Sequence, residues 1–141
     1  PLQRDLRNIM WQYCGVVRDE TRLKKGLKQI HEIKDMMTDL DVRPDSEGFE
    51  DLMLAFDLEA SIMSAEATIL SAISRKESRG AHQRDDYQSI DKNFNLNFKV
   101  KLKNSNELSV QNNQLKKMSS ELKSIIKATK KITDFSGMLL E

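Results

Sequence analysis

From Leu6 to Ile73 the apolar residues recur at helical spacing, and from Phe94 their period drops to two. That change constrains the fold more than any other feature of the chain. Leu6, Ile9, Met10, Tyr13 and Val17 fall at i, i+3, i+4, i+7 and i+11, a stripe one helix can bury, with Trp11 on its flank. Gly15 and the β-branched Val16 and Val17 weaken the end of this helix. Asp19 and Thr21 offer capping oxygens to a second helix, whose inward set is Leu23, Leu27, Ile30, Ile33 or Lys34, Met37 and Leu40. The loop from Asp41 to Gly48 ends it, because Pro44 disfavours helical geometry at Arg43. A long third helix follows, with Leu52, Ala55, Phe56, Ile62, Met63, Ile69, Leu70 and Ile73 expected inward and small residues from Ala60 to Ala72 permitting close packing. Gly80 is expected to close this helix as its C′ residue, with Arg75, Lys76 and Arg79 complementing the negative helix end.

Phe94 to Leu102 alternates apolar and polar residues, the pattern of a half-buried strand. Lys103 to Asn106 forms a polar turn and Leu108 and Val110 resume the alternation, which predicts a β-hairpin. A lone hairpin is marginal in water, so its Phe94, Phe98 and Val100 face must pack on the helices. Leu115, Met118, Leu122, Ile125, Ile126, Thr129 and Ile132 define a fourth helix with a lysine-rich outer face. Asp134 to Glu141 carries little pattern. The predicted fold class is mainly α: an antiparallel three-helix bundle over residues 2–87, followed by a β-hairpin and a C-terminal helix over 88–141, packed on the same domain.

A chain of 141 residues suits one domain and can bury roughly 68–70% of its unfolded surface. With 32% charged residues and a net charge of +1, it lacks the one-signed excess that nucleic-acid or anionic-membrane binding needs. Ten lysines from Lys92 to Lys131 meet few acids, but no arginine follows Arg84, so a solvated face is expected and no nucleic-acid partner. The lone Cys14 excludes an internal disulfide and reads as a buried structural thiol. His31 and His82 lack partners at zinc-ligand spacing, so no metal site is expected. No apolar run approaches the roughly 18–20 residues of a membrane span, so no direct membrane insertion is expected. No nucleophile, base and oxyanion donor can be assembled, and no catalytic residue is assigned.

Charge is densest from Arg75 to Tyr87. Two compatible roles follow. The charges pair locally around Gly80, or Arg75, Arg79, His82 and Arg84 reach over the domain edge to carboxylates and carbonyls of a neighbouring domain. A rim of this kind fixes orientation more than it adds affinity. Asp85 and Asp86 lie near His82, where structural hydrogen bonding is the expected role.

The spacing Arg-x-Glu-Ser-Arg-Gly-x-His-x-x-x-Asp-Tyr over residues 75–87 resembles a segment in the C-terminal helical domain of succinate dehydrogenase and fumarate reductase flavoprotein subunits and of L-aspartate oxidase. The segment Leu6 to Arg18 looks like the opening of that same domain, and the hairpin at 94–111 is similar in kind to an extension in the dehydrogenases. Ala81 to Asp85 leans toward the dehydrogenases, whereas Met10 and Trp11 lean toward the oxidase. Gln88 departs from the proline common at that position, and the Lys-rich fourth helix and tail match no named pattern. The glycines (15, 26, 48, 80 and 137) form no G-x-G-x-x-G fingerprint, and the start at Pro1 fits an excised domain. The resemblance implies a parent that moves two electrons from a C4 dicarboxylate, or from L-aspartate, to FAD bound in upstream domains. It implies as partners the FAD-binding and capping domains of the same polypeptide and an iron–sulfur subunit, with a location in the cytoplasm or peripheral to the cytoplasmic face of a membrane. The expected role is a structural and docking domain with no catalysis of its own; a stand-alone helical interaction module is the alternative.

Overall fold

Three apolar stripes meet along one axis in the computed structural model, which describes residues 1–42, 49–104 and 106–133. Helix α1 (Leu2–Cys14) contributes Leu6 and Cys14, α2 (Glu20–Met36) contributes Leu23, Ile30 and Ile33, and α3 (Phe49–Ser74) contributes Leu58, Ile62, Ala65, Ile69 and Ala72. Full burial of a leucine or isoleucine is worth roughly 1.5–3 kcal/mol each, so these stripes supply the main drive for the bundle. Asp19 caps α2 as expected, its carboxylate accepting from the Arg22 backbone N–H at 2.8 Å. Gly26 is buried where α1 and α2 touch: a Cβ there would stand 2.7 Å from Tyr13 Cβ and 3.2 Å from Ile69 Cδ1.

Several expectations are corrected by the packing. Phe56 and Met63 are 63% and 39% exposed, because the inward stripe of α3 alternates large residues with Ala65 and Ala72. Small residues occupy that seam because the neighbouring helices approach closely, and the larger side chains turn out. Val17 does not continue α1. It belongs to the short strand β1 (Val17–Arg18), which pairs in parallel with β2 (Gln83–Arg84), Arg18 opposite Arg84. Gly80 does not close α3, whose last residue is Ser74. Its φ of 58° instead serves the turn between Arg79 and His82, which exchange backbone hydrogen bonds of 2.8 and 3.1 Å. The chain leaves the helix early because buried Glu77 and Ser78 take the place of a further helical turn.

The hairpin forms as expected, with β3 (Leu96–Asn104) antiparallel to β4 (Glu107–Gln114) and Val100 opposite Val110. Leu96 is buried and Phe98 and Val100 are half-buried, whereas Asn97, Lys99 and Lys101 are exposed. Both strands contact α3. Lys34 pins the turn: its Nζ donates to Glu66 Oε2 at 3.0 Å and to the Asn106 carbonyl at 2.7 Å, joining α2, α3 and the hairpin. Helix α4 (Ser120–Thr133) begins after the first two residues of its predicted stripe, and its side chains from 120 to 128 are exposed. Residues 43–48 of the predicted loop from Asp41 to Gly48, and the tail from Asp134 to Glu141, lie outside the described residues.

Candidate functional site

Beyond Ser74 the chain wraps back over the end of α3 and builds a cluster of charge around two carboxylates. Glu77 has no exposed surface. Its Oε1 accepts from Arg75 Nη1 and from Arg79 Nε (2.9 Å), and its Oε2 from Arg79 Nη2 (3.0 Å) and the Asp91 backbone N–H (3.0 Å). The Arg79 hydrogen bonds, with help from Asp91 and Arg75, hold its carboxyl down at about 2 against the desolvation of burial. Arg84 is 1% exposed. Its Nε and Nη2 form a fork on Asp86, each at 2.6 Å, while Nη1 donates to the Ala72 carbonyl at 2.7 Å and satisfies the end of α3. Asp86 accepts also from the Glu20 backbone N–H at the start of α2 (2.9 Å), and the Arg84 hydrogen bonds depress its carboxyl to about 2.

Ser78 ties the wrap together. Its hydroxyl accepts from the Arg84 N–H at 2.8 Å and donates to the Tyr87 carbonyl at 2.9 Å. Arg75 donates to the carbonyls of Phe94 (3.0 Å) and Leu96 (2.9 Å), and its guanidinium lies 4.7 Å from the Phe98 ring centre, so one side chain seats the hairpin on the bundle. Among the described residues no buried side-chain nitrogen or oxygen lacks a partner.

His82 touches neither Asp85 nor Asp86. Arg18 Nη1 donates to its Nδ1 at 2.9 Å, and its Nε2 faces the Arg75 carbonyl at 3.1 Å. A guanidinium cannot accept, so the imidazole is neutral and carries its proton on Nε2. Burial, followed by the positive charge of Arg18, Arg84 and Arg75, pushes its pKa below the usual histidine value. Burial likewise raises the Cys14 thiol, which befits an inert structural cysteine.

The four residues singled out in the sequence therefore gather in one place and play different parts. Arg75 and Arg84 point inward, whereas Arg79 and His82 are half-buried at the edge. Asp86 takes the structural hydrogen bonding expected of it, from Arg84 and not with His82, whereas the anchors Glu77 and Ser78 and the Arg18 contact were not singled out. Glu77 stands two residues from both Arg75 and Arg79, a spacing that meets only when the chain leaves the helix; nothing local points from Arg18 to His82. Apart from this cluster, a groove of about 850 Å³ runs between α1 and α3, lined by Met10, Trp11, Ser61, Ser64 and Thr68, with Trp11 82% exposed. Among the described residues no three His, Cys, Asp or Glu side chains gather to hold a metal ion, and no helix is long and apolar enough to cross a membrane.

The chain that carries this cluster has the fold of a known domain class. Residues 3–133 match the family described as fumarate reductase flavoprotein C-term, and the chain belongs to that family. An uncharacterised FAD-dependent oxidoreductase of Methanocaldococcus jannaschii is 37% identical over 71% of this chain and 18% of its own length. An L-aspartate oxidase of Pyrococcus horikoshii is 37% identical over 63% of this chain and 14% of its own, and a fumarate reductase flavoprotein subunit of Haemophilus influenzae is 34% identical over 64% and 15%. Among solved structures, the Mycobacterium smegmatis Sdh1 complex in the apo form superposes with a TM-score of 0.78 at 25% identity, covering 86% of this chain and 21% of that one. The E. coli quinol fumarate reductase has the same fold, with a TM-score of 0.74 at 24% identity over 83% and 21%. The chain spans less than a fifth of the length of these curated relatives.

Proposed function

We propose that this chain is the C-terminal bracing and docking domain of an FAD-dependent oxidoreductase acting on a C4 dicarboxylate or on L-aspartate. The chemistry and the flavin belong to the remainder of that longer polypeptide. The observation that carries this reading is the family match over nearly the whole chain, set against relatives several times longer. The commitment of the acid–base side chains supports it: Glu77, Asp86 and His82 are consumed in fixed internal hydrogen bonds, which suits a brace.

Docking runs through the edge where Arg79 and His82 are half-exposed, with Arg75 and Arg84 holding that edge from inside. The FAD-binding and capping domains of the same polypeptide are the partners, and an iron–sulfur subunit is a further neighbour. Trp11 and the groove beside it supply apolar area for the same contact. In the full-length flavoprotein, Arg79→Glu is expected to lower flavin content and turnover together; unchanged assembly, flavin content and turnover would end the docking claim. The chain purified alone is expected to be colourless and inactive toward succinate, fumarate and L-aspartate, and bound yellow flavin would overturn the reading.

A further inference from the structure

Four guanidinium groups converge on the cluster, yet among the described residues only two carboxylates answer them. Glu77 takes Arg75 and Arg79, and Asp86 takes Arg84. Arg18 has no carboxylate partner among the described residues. Its Nε donates to the Gly15 carbonyl at 2.7 Å and its Nη1 to a neutral imidazole, while Nη2 has no protein acceptor there. A half-buried guanidinium held in one orientation, with one terminal nitrogen left over, is a preorganised anion donor. It does not point at featureless surface. Arg18 and His82 open into a pocket of about 460 Å³ between α3 and the hairpin, walled by Ser71, Phe98 and Val100, with Arg75 at its end.

We propose that Arg18, oriented by His82, is a carboxylate-binding site in this pocket. The apolar walls favour an anion with a short carbon stem over a fully hydrated ion, and the Nη2 left over on Arg18 can donate a charge-assisted hydrogen bond to a carboxylate oxygen. The carboxylate is either an aspartate or glutamate of a packed neighbouring segment or a small free carboxylic acid; both present the same group to the same nitrogen. The site rests on the geometry of this chain, and only the first source rests on the docking reading.

The test is performed on the chain itself, by following the Arg18 Nε–H and the His82 ring in ¹H–¹⁵N spectra while sodium acetate replaces sodium chloride at constant ionic strength. Saturable shifts at both groups are expected. Arg18→Gln should weaken acetate by at least about tenfold, the equivalent of one charge-assisted hydrogen bond. In case that variant unfolds, Thr68→Glu, on an exposed position lining the same pocket, places a carboxylate in cis. It should reproduce the shifts without acetate and abolish the response to added acetate. Succinate binding on a par with acetate supports a side-chain carboxylate as the occupant, and succinate binding at least about tenfold tighter supports a free dicarboxylic acid. Equal, non-saturating shifts from acetate and chloride would overturn the site, and inorganic phosphate binding tighter than acetate would overturn its assignment to carboxylates. Because neither arm involves a flavin domain, loss of the docking reading through Arg79 leaves this result standing.

Discussion

Ser78 is 7% exposed and its hydroxyl bridges the Arg84 N–H and the Tyr87 carbonyl, holding that turn against the end of α3. Removing it leaves the Arg84 N–H and the Tyr87 carbonyl without that partner inside the fold. Ser78→Ala is therefore expected to destabilise the chain by roughly 1–3 kcal/mol, measured by chemical denaturation, whereas the apolar burial lost is negligible. The two carboxylates make a second prediction. Glu77 and Asp86 drop from ordinary values of 4.5 and 3.8 to about 2 in the folded chain, so their contribution is complete above the unfolded values and disappears as pH falls toward about 2. The midpoint of thermal unfolding should fall steeply over that acid window and vary little just above it. Glu77→Gln should lower stability at neutral pH and flatten the acid slope. The charge motif itself was legible from residue 75 to 87, but the inward turn of Arg84 was not. A guanidinium goes inside only where a fork partner and a helix-end carbonyl are both waiting, and those come from Asp86 and Ala72 after the chain has wrapped back.

Among the elements, the junction of α1 and α2 depends on a missing side chain. Helix propensity alone favours Gly26→Ala by up to about 1 kcal/mol. The added Cβ would meet Tyr13 Cβ, an atom fixed to the α1 backbone, so the helices must separate at a cost of roughly 1–3 kcal/mol. The variant should lose stability in denaturant titration despite its better helix former, and a gain would show that α1 moves freely. Element boundaries were well marked where a cap or a change of period exists, as at Asp19 and in the hairpin. The inward face of α3 was misread at Phe56 and Met63 because apolar size was weighed above position. Leu58, Ile62, Ala65, Ile69 and Ala72 keep a regular seam, and the partner helices decide that alanines belong in it.

For the molecule as a whole, stability resides in the bundle and the charged wrap that locks the hairpin to it. Helix α4 contributes exposed side chains from 120 to 128. Truncation after Gln114 should move the melting midpoint by no more than about 4 °C, the equivalent of roughly 0.5–1 kcal/mol. A larger loss would place α4 in the folding unit. Truncation after Arg84 should instead lower the melting midpoint by far more, because it leaves Arg84 without Asp86 and Arg75 without its carbonyl partners, a difference readable by circular dichroism.

Periodicity in the chain determined that helices, a hairpin and a final helix would form, because a helix or strand declares itself through neighbours only a few residues away. The segment from Arg75 to Tyr87 also announced its family before any coordinates. Only the tertiary structure decided that Val17 would leave the first helix to pair with Gln83, that Gly80 would serve a turn, and that Arg18 would meet His82. The first and last of those outcomes join residues more than sixty positions apart, and the energy that selects them exists only once α3 has brought the two ends of the bundle together.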